Sequence, residues 1–230
     1  MAKKRKTHRG KSAIGSRNRR RIQLYTRIGA AVMIILVVVF GIMKIFGIGI
    51  FKDDKYMEKS GRGIDESRPD INVELLTVNP YSRPGTETGR INGIVIHYTA
   101  NPGSTAMQNR DYFEGLKDSH TTKASSHFIV GLEGEIVQCV PTWEEAYASN
   151  TRNGDTVSIE TCHMKENGKY TKETYDSLVE LTAWLCRKFG LDETDVIRHH
   201  DITGKNCPKY FVEDEKAWKN FRKDVKKAVE

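Results

Sequence analysis

The sequence predicts an α/β domain, a mixed central β-sheet flanked by helices, preceded by a single transmembrane helix. Three observations predict it. From Gly89 onward, apolar β-branched runs alternate with segments of helical periodicity, an order that implies stacked layers of strands and helices. Residues 28–51 form an apolar stretch interrupted only by Lys44. The charges are also segregated: residues 1–27 hold 11 Lys or Arg and no acid, whereas all 30 Asp and Glu lie from Asp53 onward.

The stretch from Ile28 to Phe51 is 24 residues long, and about 20 apolar residues cross a bilayer core. Lys44 sits near one end, where its long stem reaches the interface. A cleaved signal peptide would show a shorter apolar region and a small-residue cleavage site; the chain continues instead as KDDKYMEKS. The basic residues 1–27 are therefore expected to stay cytoplasmic and to orient an uncleaved anchor, with the rest outside the cytoplasm. The localisation expected is a cell membrane, single-pass. The net charge of +7 is a sum of opposites, because residues 45–230 hold 25 basic and 30 acidic side chains. The overall basic charge therefore says little about what the folded part binds, and the basic tail argues against nucleic acid as a partner because it borders the expected anchor, where it acts as an orientation signal.

Residues 52–88, with three prolines and mixed charge, are expected to form an extracytoplasmic linker in which only INVELLTV looks able to pack. As a coil such a tether would span about 30 to 35 Å. The domain is expected over residues 89–230. INGIVIHYT reads as a strand buried on both faces and ending at His97. AMQNRDYFEGLKDS places Met107, Tyr112, Phe113 and Leu116 at helical intervals, and SSHFIVGLEGEIVQCVP reads as two strands about Glu133-Gly134. DTVSIETC is a further strand, and Thr171 to Phe189 is a helix closed by Gly190. A last amphipathic helix, Glu213 to Val229, carries Trp218, Phe221 and Val225 on one face.

Three places concentrate reactive side chains: His97, Glu160, and the stretch HHDITGKNCP at 199–208. Zinc takes imidazole nitrogen and thiolate sulfur, and a catalytic zinc keeps three protein ligands with a fourth position open. His97, one of the pair His199 and His200, and Cys207 make such a set. Taken singly, each residue has an ordinary structural reading: a hydrogen-bonded histidine, a small buried cysteine, a solvated strand carboxylate. The other cysteines, Cys139, Cys162 and Cys186, show no disulfide-framework spacing.

Taken together, HYT at 97–99, SSHFIVGLEGEIVQCVP at 125–141, SIETC at 158–162 and HHDITGKNCP resemble, in order and spacing, the zinc N-acetylmuramoyl-L-alanine amidases of the type 2 class, relatives of phage lysozyme-like amidases and peptidoglycan recognition proteins. The resemblance covers about residues 80–225. It implies zinc ligands at His97, His199 and Cys207, a proton-transferring carboxylate at Glu160, and an oxyanion-stabilising lysine at Lys205. His200 falls in a variable position. Asp201 and His200 are expected to orient ligands, and His127 to line the cleft. Some members carry a catalytic tyrosine where this chain has Ser126, which leaves Glu160 as the candidate for proton transfer. The implied activity is zinc-dependent cleavage of the amide between N-acetylmuramic acid and L-alanine of peptidoglycan; with the anchor read above, the enzyme is expected at a membrane, its oligomeric state open and a monomer expected. The alternative is a non-catalytic peptidoglycan-binding module, which in this family usually lacks the ligand cysteine.

Overall fold

The structure, a computed structural model, describes Asp65 and residues 67–230. The expected basic tail and membrane anchor lie outside the described residues. Among those described, no helix is long and apolar enough to cross a membrane.

Six strands form one sheet: β1 (Ile71–Val73), β2 (Gly93–Ile96), β3 (Phe128–Val130), β4 (Ile136–Gln138), β5 (Thr156–Thr161) and β6 (Val196–Arg198). Their spatial order is β1-β4-β3-β5-β2-β6. Only β3 and β4 pair antiparallel, and the remaining contacts are parallel, so the sheet is mixed as expected. The hairpin turn falls at Gly134, whose φ of 86° suits glycine. A Cβ there would lie 2.7 Å from Ser177 Oγ and 3.0 Å from the Glu173 carbonyl, so the turn packs directly on the helix behind it.

Five helices accompany the sheet: α1 (Ala106–Ser119), α2 (Lys172–Phe189), α3 (His199–Thr203), α4 (Lys209–Glu213) and α5 (Glu215–Val229). Side-chain caps set their starts. Thr105 Oγ1 accepts from the Gln108 amide while Gln108 Oε1 accepts from the Thr105 amide, a reciprocal box that opens α1. Thr171 accepts from the Thr174 amide and so precedes α2, which Gly190 closes in the left-handed region. Asp214 accepts from the Ala217 amide, which begins α5 two residues later than its apolar periodicity predicts and leaves Lys209–Glu213 as a separate turn.

Strand alternation divides the core. Ile94, Ile96, Phe128, Val130, Val157 and Ile159 pack with Leu178, Leu181 and Leu185 of α2 and with Trp218, Phe221 and Val225 of α5. Ile129, Val137, Cys139 and Cys162 pack on the opposite face with Phe113 and Leu116 of α1. The strands read as continuous apolar runs because both faces of the sheet are covered.

Residues 67–88 differ from the expected linker. Ile71 to Val73 pair in parallel with Ile136 to Gln138, and the Glu74 and Leu76 amides continue the ladder to the Gln138 and Cys139 carbonyls. Leu76 is buried in the α1-side core, and Arg83 makes a two-pronged ion pair with Glu144, both bonds 2.7 Å. Asp65 accepts from the Trp184 indole at 2.7 Å. The prolines and charges masked a strand that β4 requires, since otherwise its outer edge would be unpaired.

Because Phe221 is fully buried between α2 and the sheet-facing side of α5, Phe221→Ala is expected to lower the unfolding free energy by about 3 to 5 kcal/mol. Denaturant unfolding of the full chain measures this. A loss below about 1 kcal/mol would mean that α5 does not belong to the cooperative unit.

Candidate metal centre

The position of the site follows from sheet register. Ile96 of β2 is paired with Ile159 of β5 on one side and with Arg198 of β6 on the other. The next residue along each chain is His97, Glu160 and His199 respectively. In-register neighbours on parallel strands lie about 4.8 Å apart with side chains on the same side. A row His199–His97–Glu160 therefore crosses three strands at their C-terminal ends, the edge where open α/β sheets bind ligands. The His97 and His199 rings meet with centroids 4.6 Å apart.

The third member comes back by a short loop. After the single turn of α3, Gly204 takes a φ of 76° and reverses the chain. His200 then holds the return segment at two points: its amide donates to the Cys207 carbonyl at 2.8 Å and its Nδ1 bonds the Lys205 carbonyl at 2.8 Å. Cys207 Sγ thereby arrives 3.8 Å from His97 Nδ1. Ligand atoms of His97, His199 and Cys207 all lie within 4.8 Å of one another, the one such cluster among the described residues. Bonds of about 2.0 to 2.3 Å to a single tetrahedral ion place donor atoms roughly 3.3 to 3.8 Å apart, so the cluster needs only a small contraction. Two imidazoles and a thiol suit a borderline-soft divalent ion.

The electrostatics describe a pocket of neutral groups. Burial pushes His97 well below the ordinary imidazole range, with the charges of His199 and Lys205 adding to the effect. Burial and Lys205 likewise lower His199. Burial pushes the Cys207 thiol up to about 12, reinforced by Glu160. Glu160 is pushed up to about 8 by burial, and its Oε2 is enclosed without a hydrogen-bond partner. Such an orphaned carboxylate oxygen in a buried site is costly unless a charge or substrate completes it.

The remaining expected residues separate into different duties. Lys205 is exposed, and its charge acts on His97 and His199. Asp201 turns away from the ligands: it accepts from the Arg198 amide at 2.8 Å and from the Arg198 guanidinium, locking the first turn of α3. His200 is a loop staple rather than an orienter of ligands. Ser126 is buried within the sheet and donates to the Phe128 and Ser158 carbonyls, so it cannot replace a tyrosine at the cleft. His127 is also structural. The Ser158 amide donates to its Nδ1 at 3.0 Å and its Nε2 donates to the Glu144 carbonyl at 2.9 Å, with burial lowering its pKa to about 4. All four cysteines are free thiols.

Two site residues carried no signal in the sequence. Ser149 and Asn150 lie at the turn Asn150–Arg152 between β4 and β5. Ser149 Oγ is 3.3 Å from His97 Nε2, and Asn150 Oδ1 is 2.9 Å from His199 Nε2. No periodicity or spacing marks them; the left-handed φ of Asn150, 54°, is visible only in the structure.

Residues 87–210 match a family model described as N-acetylmuramoyl-L-alanine amidase. The chain is similar to the N-acetylmuramoyl-L-alanine amidase CwlL of Bacillus licheniformis, 37% identical over 164 residues, covering 66% of this chain and 45% of that protein. It is 31% identical over 172 residues to the N-acetylmuramoyl-L-alanine amidase BlyA of Bacillus subtilis, covering 66% and 45%. The chain thus spans about half the length of these curated relatives. Among solved structures, PlyL superposes with a TM-score of 0.60 over 70% of this chain and 99% of that one, at 21% identity, a likeness of fold.

The neutral pocket sets how metal binding depends on pH. Loading must expel the Cys207 proton, and a cation beside Glu160 favours its carboxylate, releasing a second. Affinity for zinc or cobalt is expected to rise at least tenfold per pH unit between pH 7 and 8, and Glu160→Gln to reduce the slope toward one proton. Chelator competition at several pH values measures both; a pH-independent affinity would mean that Cys207 does not ligate.

Proposed function

The chain belongs to the type 2 N-acetylmuramoyl-L-alanine amidase family, and from that premise we propose that it is a zinc-dependent peptidoglycan hydrolase. It cleaves the amide between N-acetylmuramic acid and L-alanine of the stem peptide, held at a membrane by residues 28–51. The observation that supports this reading best is the convergence of His97, His199 and Cys207 beside a desolvated, unpartnered Glu160. The donor set fits zinc, which in catalytic sites takes three protein ligands.

Zinc bound by His97, His199 and Cys207 would supply Lewis-acid activation of water and of the amide carbonyl. Glu160 Oε2, facing that place from the neighbouring strand, accepts the proton of the attacking water. It then delivers this proton to the alanine nitrogen as the carbon–nitrogen bond breaks, leaving a carboxyl on the muramic acid and a free amine on the peptide. Lys205 brings an ammonium charge to the oxyanion that develops on the carbonyl oxygen. Burial raises the proton affinity of Glu160, and a cation beside it would bring the carboxyl back toward the range in which it both takes and returns a proton.

With zinc, the full chain is expected to release stem peptides bearing a free alanine amine from purified cell wall, read by mass spectrometry. Glu160→Gln should lower kcat by roughly 100-fold to 10,000-fold, and Lys205→Ala by about 100-fold. Binding of muropeptides without turnover by the zinc-loaded wild type would favour the non-catalytic reading instead.

A further inference from the structure

The two ligand histidines must present one particular ring nitrogen to a metal, and a neutral imidazole chooses between two tautomers according to the hydrogen bond its other nitrogen makes. His97 Nδ1 faces Cys207 Sγ at 3.8 Å, which leaves Nε2 as its outward nitrogen. That Nε2 lies 3.3 Å from Ser149 Oγ. The Nε2 of His199 lies 2.9 Å from Asn150 Oδ1, an acceptor. Consecutive residues of one turn thus meet the outward nitrogens of both histidines.

The turn is built to hold that position. Asn150 occupies the left-handed region, which asparagine tolerates better than most side chains, and this conformation reverses the chain between the two contacts. Asn153 Oδ1 accepts from the Ala148 amide at 3.2 Å and from the Ser149 amide at 2.7 Å. Thr156 Oγ1 donates to the Arg152 carbonyl at 2.6 Å and Arg152 pairs with Asp155 at 2.7 Å, fastening the far side of the turn to the start of β5. The clasp is therefore anchored to the strand that carries Glu160.

We infer that Ser149 and Asn150 are the positioning residues of the metal centre, fixing both ligand histidines with Nε2 protonated and Nδ1 directed to the ion. The inference deepens the zinc-amidase reading and rests on it. Asn150 is the stronger arm: its bond is shorter and its amide oxygen can only accept, so it dictates the His199 tautomer, whereas the Ser149 hydroxyl can either donate or accept. A carboxylate in place of the amide would keep this acceptor and make the imidazole more basic.

The test uses the full chain and measures zinc affinity by chelator competition together with the imidazole tautomer by nitrogen NMR of histidine-labelled, metal-free protein. Asn150→Gly keeps the left-handed backbone and removes the side chain. It is expected to weaken zinc binding about 10-fold to 100-fold and to convert His199 from the Nε2-protonated tautomer to a mixture. Asn150→Asp is expected to restore affinity to the wild-type level or above, a rescue that a loosened turn would not give. Ser149→Ala should cost less than Asn150→Gly. An unaltered zinc affinity in Asn150→Gly, or a wild-type His199 protonated at Nδ1, would overturn the clasp while leaving the zinc-amidase reading intact. A wild-type chain that takes up no zinc would overturn that reading and the clasp with it.

Discussion

Everything at the candidate metal centre depends on the pairing of one short strand. β2 is four residues long and buried throughout, and it is hydrogen-bonded on both sides, to β5 and to β6. Since side chains alternate between faces with a period of two, a one-residue slip on either side would turn its neighbour's reactive group to the other side of the sheet. The apolar pattern prevents the slip. Ile94, Ile96, Val157 and Ile159 must all face α2 and α5 at once, so the register that fills the core is also the register that aligns His199, His97 and Glu160. The geometry of the candidate site is inherited from hydrophobic packing, and its residues cost the fold little beyond their own desolvation.

That inheritance separates the candidate site from the stability of the domain. In small metal-nucleated domains binding free energy is folding free energy. Here two apolar clusters, on opposite faces of a six-stranded sheet, hold the ligands' backbones in place independently of any ligand bond. Burial also holds the groups of the candidate site toward their neutral forms. His97 and His199 are held below their usual pKa, the Cys207 thiol is held above it, and Glu160 keeps its proton to about pH 8. Four potential ions are stored as neutral groups, which is the inexpensive way to bury them.

Much of this was legible in the residues, and the limits have physical causes. α1, α2, the β3–β4 hairpin and the residue types that cluster at the candidate site were readable because each depends on local periodicity, turn chemistry or side-chain identity. β1 was not, because a three-residue strand between prolines has too little alternation to stand out and gains its stability from β4, more than 60 positions away. The duty of His200 was not legible either. Its neighbour His199 has the same side chain, and only the bonds from His200 to Lys205 and Cys207 distinguish a loop staple from a ligand. Ser149 and Asn150 were invisible for the same reason: hydrogen bonds across about 50 residues of sequence leave no local pattern.

The proton affinity of Glu160 gives the proposed chemistry a built-in dependence on loading. A carboxyl with a pKa near 8 is largely protonated at neutral pH and cannot accept a proton from water. Its shift is due to burial, with no partner on Oε2 to offset it. A cation held by His97, His199 and Cys207 would sit beside it and favour the carboxylate. In the proposed mechanism, a cation in that ligand set would favour the carboxylate form that the base needs. Burial of a single carboxyl in the row set by β2 would thus tie the proposed proton transfer to the filling of the neighbouring ligand set.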